Sequence, residues 1–168
     1  NPFLQKTPYD MSDFSPISLI AREVMVLAVH PSVPVKSVKE LIALAKTRPG
    51  DLTYASSSPG GPSMLGMELL KSMTAINMLI VPYKDTRGAV TAVFTGESQL
   101  TIGDLGLILP HTKSGRLRAL AVTSLDPSTL APGMSTMAES GLPGFEVTGV
   151  NAIWAPAKTP SAILNRLS

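Results

Sequence analysis

At 168 residues the chain can bury one substantial core but is too short for two independent domains of typical size. Hydrophobic residues make up 44% and charged residues 15%, which excludes disorder, and the net charge of +2 comes from singly scattered bases such as Lys36, Lys39, Lys46 and Arg48 rather than a nucleic-acid-binding cluster. The absence of cysteine excludes disulfides and thiolate chemistry, and no apolar run approaches the roughly 18 residues of a membrane span, so direct membrane insertion is not expected.

Val24–Val29 is a continuous apolar run rich in β-branched residues and reads as a buried strand, broken by His30-Pro31-Ser32-Val33-Pro34. Ser37 with Glu40 three residues on predicts a capping box before Leu41, Ile42, Leu44 and Ala45, in a helix that ends near Arg48-Pro49-Gly50. Leu52–Ser56 is a short strand, and Met64, Leu65, Leu69 and Leu70 follow at helical spacing. Met78–Tyr83 reads as a strand, Thr86 to Thr95 as a helix and Gln99–Ile102 as a strand. Leu105–Lys113 then reads as a helix and Leu117–Thr123 as a strand. A last strand is predicted within Glu146–Trp154, and a final helix after Thr159-Pro160-Ser161. This alternation predicts an α/β fold with a mainly parallel sheet flanked by helices. Right-handed crossovers would line the strand-to-helix loops along one sheet edge, where ligands collect in such folds.

The stretch from Tyr54 to Ser63 is the candidate functional centre. Between Ser56 and Ser63 it holds four serines (Ser56, Ser57, Ser58 and Ser63) and two glycines (Gly60 and Gly61), just before a helix. A helix start carries unpartnered N–H groups and the positive end of the dipole. Glycines admit close approach of a ligand, and serine hydroxyls add adaptable donors. A small anion, carboxylate or phosphate, suits such a loop. Composition alone also allows an ordinary loop whose serines cap the helix. Neither a Walker loop nor G-x-G-x-x-G is present, and no H-E-x-x-H or EF-hand spacing marks a metal, so no cofactor is expected.

A serine nucleophile would need a histidine, yet there is no G-x-S-x-G elbow, and His30 and His111 read as ordinary loop and surface residues. Asp126, Glu139 and Glu146 read as solvated loop charges. Asp104 stands between a strand and a helix on the same predicted edge as the serine loop. It reads equally as an acceptor for a ligand hydroxyl, amine or protonated carboxyl and as a helix N-cap. Tyr83-Lys84 would border that edge too.

Seven ordered stretches carry a family resemblance. They are Thr7-Pro8-Tyr9-Asp10 with Asp13-Phe14-Ser15-Pro16; Pro31-Ser32-Val33-Pro34 with Ser37-Val38-Lys39-Glu40-Leu41; Leu52-Thr53-Tyr54-Ala55-Ser56; and Val81-Pro82-Tyr83-Lys84. Leu109-Pro110-His111 through Gly115-Arg116-Leu117-Arg118-Ala119-Leu120-Ala121-Val122-Thr123, Gly141-Leu142-Pro143-Gly144-Phe145-Glu146-Val147 and Ala155-Pro156-Ala157-Lys158-Thr159-Pro160 complete them. Together they resemble the solute-binding proteins of tripartite tricarboxylate transporters, the Bug-type receptors.

The resemblance implies a periplasmic, two-lobed, type II periplasmic binding protein fold, here incomplete, that closes on a small carboxylate and delivers it to a membrane permease. Residues 1–29 would belong to the first lobe, 30–149 form the second, and 150–168 return into the first. The resemblance gives one carboxylate two holding loops, one of which matches Ser56–Ser63. The other would precede this sequence, whose ends read as those of a trimmed piece, so the chain alone is expected to bind weakly or not at all. Relatives carry a more glycine-rich loop with a histidine opening the helix, where this chain has Ser57-Ser58-Pro59, Gly61-Pro62 and Met64. Their acidic residue often falls one position before Asp104. An effector-sensing domain of a transcription regulator is the alternative, and no helix-turn-helix pair is visible for it.

Overall fold

A computed structural model describes residues 6–57 and 59–167, so the predicted site residue Ser58 lies outside the described residues. A 3-10 turn at Met11–Asp13 leads into β1 (Phe14–Val29), α1 (Val38–Thr47), β2 (Thr53–Ser56), α2 (Pro62–Thr74), β3 (Leu79–Pro82) and α3 (Thr86–Phe94). There follow β4 (Leu100–Asp104), α4 (Leu105–Lys113), β5 (Arg118–Val122), β6 (Thr148–Pro156) and α5 (Ser161–Leu167). The chain divides into two compact units, one from the terminal segments up to Glu23 and from Gly149, the other spanning Val24–Thr148.

The larger unit is built on strands in the order β3-β2-β4-β1-β5. β2 is parallel to both β3 and β4, and β1 is antiparallel to both β4 and β5. Strands β2 to β5 therefore share one direction, and β1 alone runs against them. The α/β class and the mainly parallel sheet are as expected from the sequence.

Alternation along the apolar run explains why it is apolar throughout. Met25, Leu27 and Val29 pack with Leu41 and Ala45 of α1 and Met67 and Leu70 of α2. Val26 and Ala28 face the other way, onto Ala89 and Val93 of α3 and Ile108 of α4. Helices thus cover both faces, and a strand buried on both sides cannot alternate with polar residues.

The shared strand direction gathers the carboxyl ends of β2, β3, β4 and β5 at one edge. Both chain passages out of the unit adjoin it. Met25 pairs with Asp104, and Thr123 N–H donates to Met25 C=O (2.9 Å) while Val147 N–H donates to Thr123 C=O (2.9 Å).

In the smaller unit, β6 pairs with β1. Ala157 N–H donates to Asp13 C=O at 2.8 Å, and the Asn151 amide donates to Glu23 Oε1 at 2.7 Å. Strand β1 is therefore ten residues longer at its start than the apolar run that predicted it, beginning at Phe14 rather than Val24. The added segment carries Ser15, Ser18, Arg22 and Glu23 and is largely exposed, so hydrophobic periodicity gave no signal there.

Candidate functional site

Strand β2 ends at Ser56, whose C=O accepts from Tyr83 N–H at 2.8 Å and whose buried hydroxyl donates to the Ser57 C=O at 3.3 Å. The loop then turns through Gly60 at φ +76°, a left-handed conformation in which glycine carries no steric penalty. Gly61 is the N-cap of α2, with extended backbone and no side chain to offer the helix. Pro62 takes the first helical position, where a missing N–H breaks no helical bond. The first bond of the helix runs from Leu65 N–H to Gly61 C=O at 3.0 Å. The N–H groups of Ser63 and Met64 precede it and have no intrahelical acceptor.

Side chains beneath the loop hold α2 in place. Ser63 is 1% exposed, and its hydroxyl donates to the Ile102 carbonyl of β4. What Ser63 offers the loop is its main-chain N–H. A Cβ on Gly66 would come within 3.0 Å of Ile102 Cδ1, so the helix approaches β4 closely there. The Tyr54 phenol donates to Glu68 on α2, and Lys71 Nζ reaches the same carboxylate at 2.8 Å. Burial first, then Glu68, pushes the Tyr54 phenol well above its usual range. Burial opposes ionisation of Glu68, but hydrogen bonds from Lys71 and Tyr54 hold its carboxyl below the ordinary value. Tyr54, the first residue of the predicted stretch, is thus fully buried and bonded to α2, not part of the loop's surface.

Asp104 ends β4 as the N-cap residue of α4 and makes no side-chain cap bond to it. Tyr54 pairs with Leu100, so the same register carried forward sets Ile102 beside Ser56 and Asp104 two residues beyond, at the edge that holds the loop. Ser56, Ser57, Gly60, Gly61, Ser63 and Asp104 therefore share one sheet edge. Tyr83 leads off the same edge, its phenol donating to Glu97 at 3.3 Å and raised by burial and then by that carboxylate's charge.

The histidines lie at the opposite edge. His30 follows the end of β1, its Nδ1 2.7 Å from the Ser32 hydroxyl and accepting from Ser32 N–H at 3.2 Å. His111 occupies the last turn of α4 and stacks on Phe94 with ring centroids 4.3 Å apart. Burial and then the nearby Arg116 hold its pKa below the ordinary value. Both rings thus lie at the end of the parallel strands away from the serine loop.

Sequence reasoning did not find the open cleft of about 510 Å³ beside the loop, lined by Gly60, Pro62, Leu65 and Leu69 and by Glu146, Val147 and Thr148. Leu65 and Leu69 fit a helical core pattern in the sequence, so no local signal marks them as a cleft wall; in the structure Leu65 is exposed and Leu69 is only partly buried against the core. Glu146, read as a solvated charge, is exposed and stands on the cleft wall.

A mainly parallel sheet with one reversed strand, and helix starts gathered at one edge, is the frame of an α/β binding protein. The family model described as Tripartite tricarboxylate transporter family receptor matches residues 1–168, and the chain belongs to that family. Protein BugT of Bordetella pertussis is 35% identical over 158 residues, covering 94% of this chain and 48% of BugT. Among solved structures, R. palustris Rpa4515 with adipate is 37% identical at a TM-score of 0.85, covering 95% of this chain and 54% of that one. The periplasmic binding protein BugD is 30% identical at a TM-score of 0.80, with 92% and 52% covered. The chain spans about half the length of the curated relatives it matches.

Proposed function

We propose that this chain is part of an extracytoplasmic, periplasmic solute receptor that binds a small carboxylate and delivers it to a membrane permease. One observation carries the reading: helices α2 and α4 both begin at the same sheet edge without a side-chain cap bond. In this reading the carboxylate docks on the main-chain N–H groups of Gly60, Gly61 and Ser63, with the hydroxyls of Ser57 and Ser58 as further donors. Ser56 shapes the turn from below, and Asp104 receives a donor at the ligand's far end. Binding at helix N-termini needs no lysine or arginine, because partial positive charge and directed donors are already in place.

The adipate bound by Rpa4515 supports the ligand class. The lobe assignment belongs to the same proposal: residues 30–149 as the second lobe, 1–29 and 150–168 as parts of the first. The compact unit Val24–Thr148 supports the division but takes in Val24–Val29, which pair with β4 and β5, so the first boundary falls at Val24 rather than after Val29. Titration calorimetry with adipate and other C4–C6 dicarboxylates, aromatic carboxylates and citrate tests the reading on the chain and on Ser57→Ala. Saturable binding weakened by Ser57→Ala supports it. Of the two outcomes expected for a chain with one holding loop, weak binding or none, the proposal commits to weak, saturable binding; heats that do not saturate at millimolar ligand, or that Ser57→Ala leaves unchanged, contradict it.

A further inference from the structure

Met64 is the third helical residue of α2, and helical side chains lean toward the amino terminus. Its thioether accordingly arches back over the cap, where Gly60 N–H donates to Sδ at 3.4 Å. The corresponding position of α1 is Glu40, and it makes the corresponding contact. Glu40 Oε2 accepts from Lys36 N–H at 2.6 Å, again the residue just before the N-cap. The two side-chain contacts share one geometry and differ in acceptor. A carboxylate closes the donor of α1 with a strong charged bond, whereas a thioether sulfur is a weak acceptor on a flexible arm.

We propose that Met64 determines selectivity at this loop, which rests on the carboxylate reading above. Its sulfur keeps the Gly60 N–H aimed without adding negative charge, and an incoming carboxylate displaces it. The displaced side chain then lies against the carbon skeleton next to the bound head group. A hydroxyl on that carbon would lose water and gain no partner from a methionine, at a cost that a bare methylene avoids. The loop thus favours carboxylates without a hydroxyl beside the head group.

Succinate and malate differ by that one hydroxyl and serve as probes. Their affinities are read from amide shift titrations of the chain and of Met64→Leu, Met64→Ser and Met64→Glu, with melting curves to show that each variant folds. The natural chain prefers succinate, and Met64→Leu keeps the preference. Met64→Ser narrows it by roughly tenfold, since a hydroxyl partner replaces an apolar contact. Met64→Glu weakens both acids about a hundredfold through like-charge repulsion while melting no lower than the natural chain. A succinate-to-malate ratio that Met64→Ser leaves unchanged, or undiminished binding by Met64→Glu, overturns the assignment of Met64 alone. Failure of the natural chain to bind either acid removes the carboxylate reading itself, and this inference with it.

Discussion

Helices α1 and α3 begin differently from α2 and α4. In α1 the Ser37 hydroxyl accepts from Glu40 N–H at 3.2 Å, and in α3 Asp85 Oδ1 accepts from Gly88 N–H at 2.7 Å. Each of these starts is closed by the chain's own side chains, as structural helix termini are. In α2 the cap is Gly61, and in α4 it is Asp104 with its carboxylate not used as a cap. The contrast separates helix starts that only terminate a helix from those whose donors and dipole can serve something else. Both of the second kind lie at the carboxyl edge of the parallel strands.

The largest effect should come from converting an open start into a closed one. Gly61 has φ −74° and ψ 162°, a backbone that suits an N-cap aspartate. Gly61→Asp should raise stability by only about 0.3 kcal/mol and weaken dicarboxylate binding about a hundredfold, through occupied donors and like charge. Calorimetry and thermal melting read the two together. Equal binding by this variant would dissolve the contrast between the two kinds of helix start.

Ser63→Ala should come next. It removes the hydroxyl that reaches the buried Ile102 carbonyl and should cost about 1–3 kcal/mol in a urea titration, with far less effect on binding than Gly61→Asp. A large loss of affinity at unchanged stability would move the Ser63 hydroxyl from the support of α2 into direct ligand contact.

Smaller still are the closed starts. Ser37→Ala and Asp85→Ala should each cost about 1 kcal/mol and leave affinity within about twofold. The smallest effect is a pH dependence at the far edge. Folding lowers the His111 pKa below 6.5, so the unfolded chain takes the proton first. Stability should be full above that value and fall as pH drops through it toward the folded value. His111→Gln should flatten this slope without changing ligand binding at pH 7.5.

Much of the architecture was legible in the sequence because its signals are local. The span Leu105–Lys113 reads with the bounds that the structure shows, and β2, β3 and β5 differ by no more than one residue at either end. The expected capping box at Ser37 and Glu40 is half realised: Ser37 caps Glu40 N–H, but the Glu40 carboxylate closes on Lys36 N–H, one residue early. Spacing identified the pair and could not set its register. The position of Ser56–Ser63 at a strand-to-helix turn was equally legible.

What a side chain does within the loop was not. Ser63 reads the same as Ser57 in sequence, yet its hydroxyl is spent on β4, a contact 39 residues away that only the strand order creates. Tyr54 is likewise fixed by Glu68 on the helix above it. The antiparallel insertion of β1 between β4 and β5 left no local trace, since an apolar strand reads alike in either direction.

The central claim is that the start of α2 is kept open for a carboxylate while those of α1 and α3 are closed. The most direct measurement is a two-dimensional amide spectrum of the chain titrated with adipate. The resonances of Gly60, Gly61 and Ser63 should move in a saturable way, while those of Glu40 and Gly88 stay fixed. Uniform shifts at all three helix starts, or none at Gly60 and Gly61 with millimolar adipate, would contradict the account.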